Sequence, residues 1–213
     1  MITVYGEGRG FRVVWLLEEM GLPYALRDVD LIAGVEDDAE FLAINPGGFI
    51  PALVDGDTHM AESIAIMEYL LARHGPSPLA PSPADPQFGT YLQFLHLGEA
   101  GLMMPMFVGF LNRTFAPEPE RSGWISGEMT EMFKSRLRLV TRQLDRARYM
   151  AGEAFTAADI SVTYALEFAQ RNGSFEFDRQ VLDYLERTTA RDGYRRAMDA
   201  CHATKAWVES LKD

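Results

Sequence analysis

The sequence predicts a chain of two parts, an α/β segment at the N-terminus and an all-helical remainder. Three observations predict it. Short β-branched and aromatic runs alternate with helical patterns over residues 1–75. The stretch Gly75 to Pro86 then holds five prolines in twelve residues, a density that no helix or sheet interior tolerates. Everything beyond it reads as helical. The expected division is 1–75, a Pro-rich linker at 76–86, and a helical domain at 87–213.

Within the first part, Ile2-Thr3-Val4-Tyr5 is a short strand by β-propensity, and Gly6-Glu7-Gly8-Arg9-Gly10 is a turn. From Phe11 to Met20 the pattern is helical: Phe11, Val14, Trp15 and Leu22 share an apolar side that Leu17 widens and Glu18 interrupts. Gly21 stops the helix. Pro23 to Val29 alternates as a second strand, and Glu36 to Ile44 is a short acidic helix ending before Asn45-Pro46. Ile50–Val54 and Thr58–Met60 flank Asp55-Gly56-Asp57 as a hairpin. Ser63 to Arg73 is a helix closed by His74-Gly75. The order βαβ, α, ββα is thioredoxin-like, and it implies a small sheet with a parallel first pair and an antiparallel hairpin. In the second part, helices are expected over about 87–112, 124–149, 156–171, 178–190 and 191–203.

At 213 residues and 47% hydrophobic content, the chain can bury a sizeable core and is not globally disordered. The net charge of −11 argues against a nucleic-acid or anionic-membrane surface as the main function. By composition no run approaches the about 18–20 apolar residues needed to span a bilayer. The N-terminus carries no basic region ahead of an apolar stretch, so no secretory signal is read. Cys201 is single, which excludes an internal disulfide and points to a reducing cytoplasm; it reads as a buried small hydrophobe. His96 and Glu99 share a helix face, but two such residues do not make a metal site.

The densest signal is Asn45-Pro46-Gly47-Gly48-Phe49-Ile50-Pro51-Ala52-Leu53, followed by Glu62-Ser63-Ile64-Ala65-Ile66. It reads as a turn, a proline at the mouth of a strand, a second strand, and a helix beginning at Glu-Ser. Backbone N–H and C=O groups beside Pro51 are placed to pair with an extended peptide. The helix start at Ser63 offers free N–H groups and a favourable dipole to a carboxylate. The pattern resembles the glutathione-binding half of cytosolic glutathione transferases, Asn-Pro-x-Gly-x-hydrophobic-Pro-x-Leu, an acidic turn, then Glu-Ser. A second motif, Gly152-Glu153-Ala154-Phe155-Thr156-Ala157-Ala158-Asp159-Ile160, is a helix start. There the Thr156 hydroxyl is expected to accept from the Asp159 amide and the Asp159 carboxylate to reach back to the Thr156 amide, with Phe155 and Ile160 as a hydrophobic staple. It is similar to the Ser/Thr-x-x-Asp capping segment of the same family. The two motifs, in this order, extend the resemblance over nearly the whole chain and imply the glutathione transferase fold, a thioredoxin-like α/β domain followed by an all-α domain.

The resemblance implies glutathione as co-substrate, with no metal. It implies a cis Ile50–Pro51 bond with Ile50 as backbone partner, Ser63 as partner of the γ-glutamyl carboxylate, and Glu62 facing the γ-glutamyl amine. Phe49 stands where some relatives carry a polar side chain, which leaves the glycyl carboxylate to His59, Arg9 or Arg12; Arg12 reads more readily as a structural ion pair. Many bacterial relatives resemble Ser-Arg-Ser-Phe-Arg-Val after the first strand, and the chain is read as of that bacterial type. Here Gly8-Arg9-Gly10-Phe11-Arg12-Val13 places glycine at both serines. Tyr5 belongs to the strand and is expected to be packed, and an ionised Glu7 would repel a thiolate. Arg9 and the free amides of Gly8-Arg9-Gly10 are therefore the expected thiolate stabilisers, with Gly8 and Arg9 as the catalytic pair. The glycine spacing is not that of a dinucleotide fingerprint. With no Cys in this region, mixed-disulfide chemistry is disfavoured.

Met103, Met104 and Phe107 lie where an adaptable apolar pocket is expected, with Trp207 as a closing residue; core or dimer packing is the competing reading for each. The expected activity is that of a cytoplasmic, homodimeric transferase adding the glutathione thiolate to a small apolar electrophile held against the second domain. Partners from nucleic acid or membrane are not expected. The alternatives are another glutathione-dependent lyase, dehalogenase or isomerase, and a non-catalytic glutathione-binding or protein-interaction module.

Overall fold

The computed structural model describes residues 1–31, 33–121, 123–173 and 175–210. The chain forms two compact units, one of Met1–Ser77 with the chain from Ala190 onward, the other of Pro78–Thr189.

In the first unit, β1 (Ile2–Tyr5) leads through a 3-10 turn (Gly8–Gly10) into α1 (Phe11–Met20). Then come β2 (Tyr24–Arg27), α2 (Ala39–Ile44), β3 (Ala52–Asp55), β4 (Thr58–Ala61) and α3 (Ser63–Arg73). The sheet order is β2-β1-β3-β4, with β1 parallel to β2 and antiparallel to β3, and β3 antiparallel to β4. Val4 pairs with Leu26 and Leu53, which puts fully buried Val4 and Leu53 at the sheet centre. The expected βαβ-α-ββα order is therefore present, and the structure is the thioredoxin-like sheet with a helical partner unit.

The acidic helix differs from its expected start. The acidic helix begins at Ala39 because Asp38 caps it, accepting from the Phe41 amide at 3.0 Å while Arg27 forks onto the same carboxylate. That guanidinium holds the Asp38 carboxyl below the usual range. At the other end of the sheet, Asp55 accepts from Tyr69 at 3.1 Å and meets His74 Nε2 at 2.8 Å, tying the end of β3 to the end of α3.

Helix α1 is buried from Phe11 through Leu17, not on one side alone. The reason lies far along the chain, in α9 (Asp192–Ala200). The Tyr194 ring stands edge-on to Phe11 and Trp15, with centroids 5.4 and 4.9 Å away. Arg191 forks onto Glu19 at 2.8 and 2.7 Å, and Arg196 reaches Glu18 at 2.6 Å. Glu18 thus interrupts the apolar pattern because it faces an arginine of this unit. Cys201 ends α9, fully buried, and burial pushes its thiol pKa up, with the Glu7 charge adding to the effect. The expected helix to about 203 breaks here, and α10 (His202–Ser210) follows.

The second unit contains α4 (Phe88–His96), a π-helical segment (Leu97–Met103), α5 (Met104–Phe115), α6 (Trp124–Leu144), α7 (Ala157–Gly173) and α8 (Arg179–Thr189). Helix α7 is its centre, buried at Ala157 through Thr163 and again at Ala165 to Glu167 and Ala169. Ser161 donates to the Leu95 carbonyl at 2.7 Å, and a Cβ on Gly98 would overlap Ser161, so α4 and α7 touch backbone to side chain there. One sequence expectation is corrected. Phe88–Phe115 runs as 28 continuous helical residues with a window of mean hydropathy 1.4, long and apolar enough by length and composition to cross a membrane. Tyr91, Phe94, Leu95, Leu102, Met103 and Met106 are buried within the unit, as in a core helix.

Candidate functional site

The loop from Asn45 to Pro51 is built by one side chain. Asn45 is buried; its Oδ1 accepts from the Gly47 amide at 3.1 Å and its Nδ2 donates to the Phe49 carbonyl at 2.6 Å. The turn closes with the Gly48 amide on the Asn45 carbonyl at 3.1 Å. This is the local self-bonding that favours Asn in turns. It delivers Ile50 to the edge of a cluster formed by Tyr5, Val29, Phe41 and Ala52. The Ile50–Pro51 bond is cis and Pro51 is buried. Among the described residues neither the N–H nor the C=O of Ile50 is hydrogen-bonded. An extended peptide laid beside Ile50 therefore finds one donor and one acceptor.

Helix α3 begins without a side-chain cap. Glu62 occupies the N-cap at φ 70°, the one non-glycine residue with positive φ among the described residues, and its carbonyl accepts from Ile66 at 2.9 Å. A residue held there costs on the order of 1–3 kcal/mol and persists where its surroundings over-determine it. The Glu62 side chain is exposed, and Ser63 is the first helical residue rather than the cap. Ser63 is 3% exposed, and its hydroxyl makes no hydrogen bond among the described residues. The unpaired first-turn amides and dipole of α3, with the Ser63 hydroxyl at the same helix end, suit a carboxylate.

The loop after β1 meets this segment directly. A Cβ on Gly6 would overlap the Ile50 side chain, one on Gly8 would sit 3.6 Å from Ile50 Cδ1, and one on Gly10 would sit 3.3 Å from Pro51 Cβ. Gly6 and Gly8 hold φ of 82° and 59°, where side chains are strained. Gly6 is thus required by the approach of Ile50 and Gly8 by its φ, while Gly10 lies closely against Pro51. Of the three amides expected to face a thiolate, that of Gly10 is taken, donating to the Glu7 carbonyl at 3.0 Å. The Gly8 amide makes no hydrogen bond among the described residues, and Gly8 is exposed. Arg9 is half-buried in the turn and Arg12 is fully buried in α1. Tyr5 is packed, stacked on Phe41 with Arg27 over its ring at 5.4 Å. Burial and then the Glu40 charge raise its pKa, so it is a poor proton donor to sulfur.

Glu7 does something the sequence did not reveal. Its buried carboxylate accepts from the amides of Ala203 at 3.2 Å and Thr204 at 2.6 Å, in the first turn of α10. Those donors lie 196 and 197 residues away, so no local pattern marks them.

Phe49 is exposed with its ring beside Gly47, and His59 is exposed on the edge strand β4. In the helical unit, Met103 is buried and Met104 is 40% exposed. Phe107 is half-buried in an aromatic group with Phe110 and Phe168, at centroid distances of 6.5 and 6.3 Å. The side chain of Trp207 lies outside the described residues. No group of three or more His, Cys, Asp or Glu able to hold a metal occurs among the described residues.

The family described as "Glutathione S-transferase, N-terminal domain" matches residues 10–73. Glutathione S-transferase 3 of Schizosaccharomyces pombe is 31% identical over 182 residues, covering 78% of this chain and 72% of that protein. Glutathione S-transferase F10 of Arabidopsis thaliana is 33% identical over 169 residues, covering 76% and 77%. The chain belongs to the glutathione transferase family. A crystal structure of a glutathione transferase from Methylococcus capsulatus has the same fold, with a TM-score of 0.81 at 24% identity over 95% of this chain and all of that one. This glutathione transferase has both the Asn45–Pro51 segment and the Glu62-Ser63 start of α3, whereas the loop after β1 carries glycine at Gly8 and Gly10, the positions of the expected hydroxyls.

Proposed function

We propose that this chain is a glutathione transferase that binds glutathione on its first unit and adds the thiolate to a small apolar electrophile. Ile50 supplies the N–H and C=O for the cysteinyl backbone beside Pro51. Ser63 and the first amides of α3 hold the γ-glutamyl carboxylate, Glu62 faces the γ-glutamyl amine, and the exposed Phe49 ring borders the peptide. Arg9 and the Gly8 amide favour the thiolate; positive charge and an open donor near sulfur lower the cost of ionising it. Met104 and Phe107, with Met103 behind them and Trp207 nearer the C-terminus, provide the apolar surface for the electrophile. The reading is of a cytoplasmic homodimer without metal, nucleic acid or membrane partner, its binding domain ending at the Pro-rich stretch 76–86.

One observation carries the reading: a cis Ile50–Pro51 with an open Ile50 backbone stands in the same unit as an uncapped α3 beginning Glu62-Ser63. The glycine loop favours one second reading, a glutathione-binding module without turnover. Calorimetric titration with glutathione and an electrophile panel separates the two. Binding with turnover supports the enzyme, binding without turnover supports the module, and absence of binding removes both. Turnover only as ether cleavage, dehalogenation or isomerisation would keep the site and change the reaction class.

A further inference from the structure

The sulfur-facing loop and the C-terminal helix are joined through Glu7. The chain around Glu7 is fixed on both sides: the Gly6 amide donates to the Arg27 carbonyl at 2.8 Å, and the Glu7 carbonyl accepts from Gly10 at 3.0 Å. Between these points the backbone passes directly from Glu7 into Gly8, at φ 59° beside Ile50, and Arg9, so a shift of Glu7 is passed to both. The Glu7 side chain turns away from the loop and takes two first-turn amides of α10, from Ala203 and Thr204. The residue before α10 is Cys201, whose buried thiol is a weak acceptor, and among the described residues the side chain that takes first-turn amides of α10 is that of Glu7. The helix ladder starts with the Lys205 amide on the Cys201 carbonyl at 2.9 Å, which leaves the preceding amides to an outside acceptor. Glu7 is that acceptor. Helix α9, just before, is held on α1 by Arg191–Glu19, Arg196–Glu18 and the Tyr194 ring, so the start of α10 is a fixed point.

We infer that Glu7 is a positioning residue: by capping α10 with its carboxylate it sets the Gly8–Arg9 loop in the geometry used at the glutathione sulfur, and it spends its negative charge on helix amides rather than on the thiolate. The effect on turnover rests on the glutathione reading above; the tether itself does not.

The test uses the full chain with Glu7→Ala and Glu7→Gln. Glu7→Gln keeps one carbonyl acceptor and loses the charge; Glu7→Ala loses both. Amide hydrogen exchange needs no ligand and follows Gly8 to Phe11 and Ala203 to Lys205. Faster exchange in both segments is expected for Glu7→Ala, with Glu7→Gln between it and the parent. The kinetic arm expects kcat to fall on the order of tenfold to a hundredfold in Glu7→Ala, as for a misplaced reacting group, with less loss in Glu7→Gln. The dissociation constant for glutathione should hold within about threefold, because Ile50 and Ser63 are untouched. Unchanged exchange in both segments overturns the inference, as does faster exchange confined to Ala203 to Lys205, which would leave the Gly8–Arg9 loop independent of the tether. If Glu7→Ala does not fold, Glu7→Gln against the parent carries the same comparison. If the parent neither binds nor turns over glutathione, the proposed function falls and the exchange result alone decides the tether.

Discussion

Gly6 lies so close to Ile50 that a Cβ added to it would overlap Ile50 Cγ2 and stand 2.6 Å from Ile50 Cβ. The end of β1 and Ile50 are therefore one packed unit, and the space between them exists only because position 6 has no side chain. Of the two departures from the family pattern, Gly8 has a geometric reason of its own, a φ of 59° that side chains rarely adopt, whereas Gly10 sits at an ordinary φ of −66°.

Gly6→Ala is accordingly expected to weaken glutathione binding without touching a group that contacts glutathione. The positive φ alone costs about 1–2 kcal/mol, and Ile50 must move to admit the methyl. The expected outcome is a loss of about that much stability in denaturant unfolding, and a glutathione dissociation constant raised by roughly tenfold or more. Wild-type affinity in the variant would show that the Ile50 backbone is not the partner.

Ser63→Ala tests the carboxylate subsite separately. The hydroxyl makes no hydrogen bond among the described residues, so its loss leaves unfolding free energy within about 0.5 kcal/mol. A hydrogen bond to a charged group is worth about 1.5–3 kcal/mol, which translates to roughly 10- to 150-fold weaker glutathione binding. The informative control is a tripeptide lacking the γ-glutamyl carboxylate, whose affinity should be the same for both proteins. An equal loss for that ligand places the effect elsewhere.

Arg9→Ala addresses the thiolate. With the guanidinium gone, the pKa of bound glutathione thiol should rise by roughly one pH unit or more, read from thiolate ultraviolet absorbance across a pH series. Arg9→Lys retains a cation and should recover most of the shift. Turnover below the thiol pKa falls in step with the thiolate fraction. A thiol pKa unchanged in Arg9→Ala would leave the Gly8 amide as the remaining candidate.

How much was legible in advance follows from how local each signal is. The element order, the start of α3 and the Thr156–Asp159 helix start all depend on residues a few positions apart and were readable, whereas the cis Ile50–Pro51 bond was legible only through the resemblance to the family. The parts that escaped depend on partners far along the chain. Glu18 looked like a fault in the apolar face of α1, although it faces Arg196, 178 residues on. Glu7 looked like a charge that would repel a thiolate, although its carboxylate is occupied by α10. Helix breaks are the other blind spot. The run Asp199, Ala200, Cys201 and His202 has no proline or glycine to announce a stop, yet the chain leaves the helix at Cys201, at φ −93° and ψ 81° with its side chain buried.

Asp159 gives the prediction with a pH signature. Its Oδ1 accepts from the Met150 amide at 2.8 Å and the Tyr184 hydroxyl at 3.0 Å. Its Oδ2 accepts from the Thr156 amide at 2.8 Å and the Thr156 hydroxyl at 3.2 Å. The expected capping pair is half realised: the carboxylate reaches back to the Thr156 amide, but the Thr156 hydroxyl donates to that carboxylate, and the Asp159 amide bonds the Thr156 carbonyl at 3.0 Å. Complete burial outweighs the donors and pushes the Asp159 pKa from 3.8 up to about 6. For an acid whose folded pKa is raised, the folded state binds the proton more tightly. Its contribution to stability is therefore fully present below the unfolded pKa and is lost as pH rises through the folded one, a span worth about 3 kcal/mol. Asp159→Asn does not titrate and leaves the Thr156 amide facing an amide nitrogen or a lost contact, so it is less stable than the parent by about 2–4 kcal/mol at low pH. The gap should narrow by about 3 kcal/mol between roughly pH 4 and pH 7. Taking the difference between parent and variant at each pH cancels Asp38 and Asp55, whose depressed pKa values push stability the opposite way. Urea unfolding at a series of pH values measures it, and a gap that stays constant or widens with pH would mean that Asp159 is ionised throughout and held by its four donors.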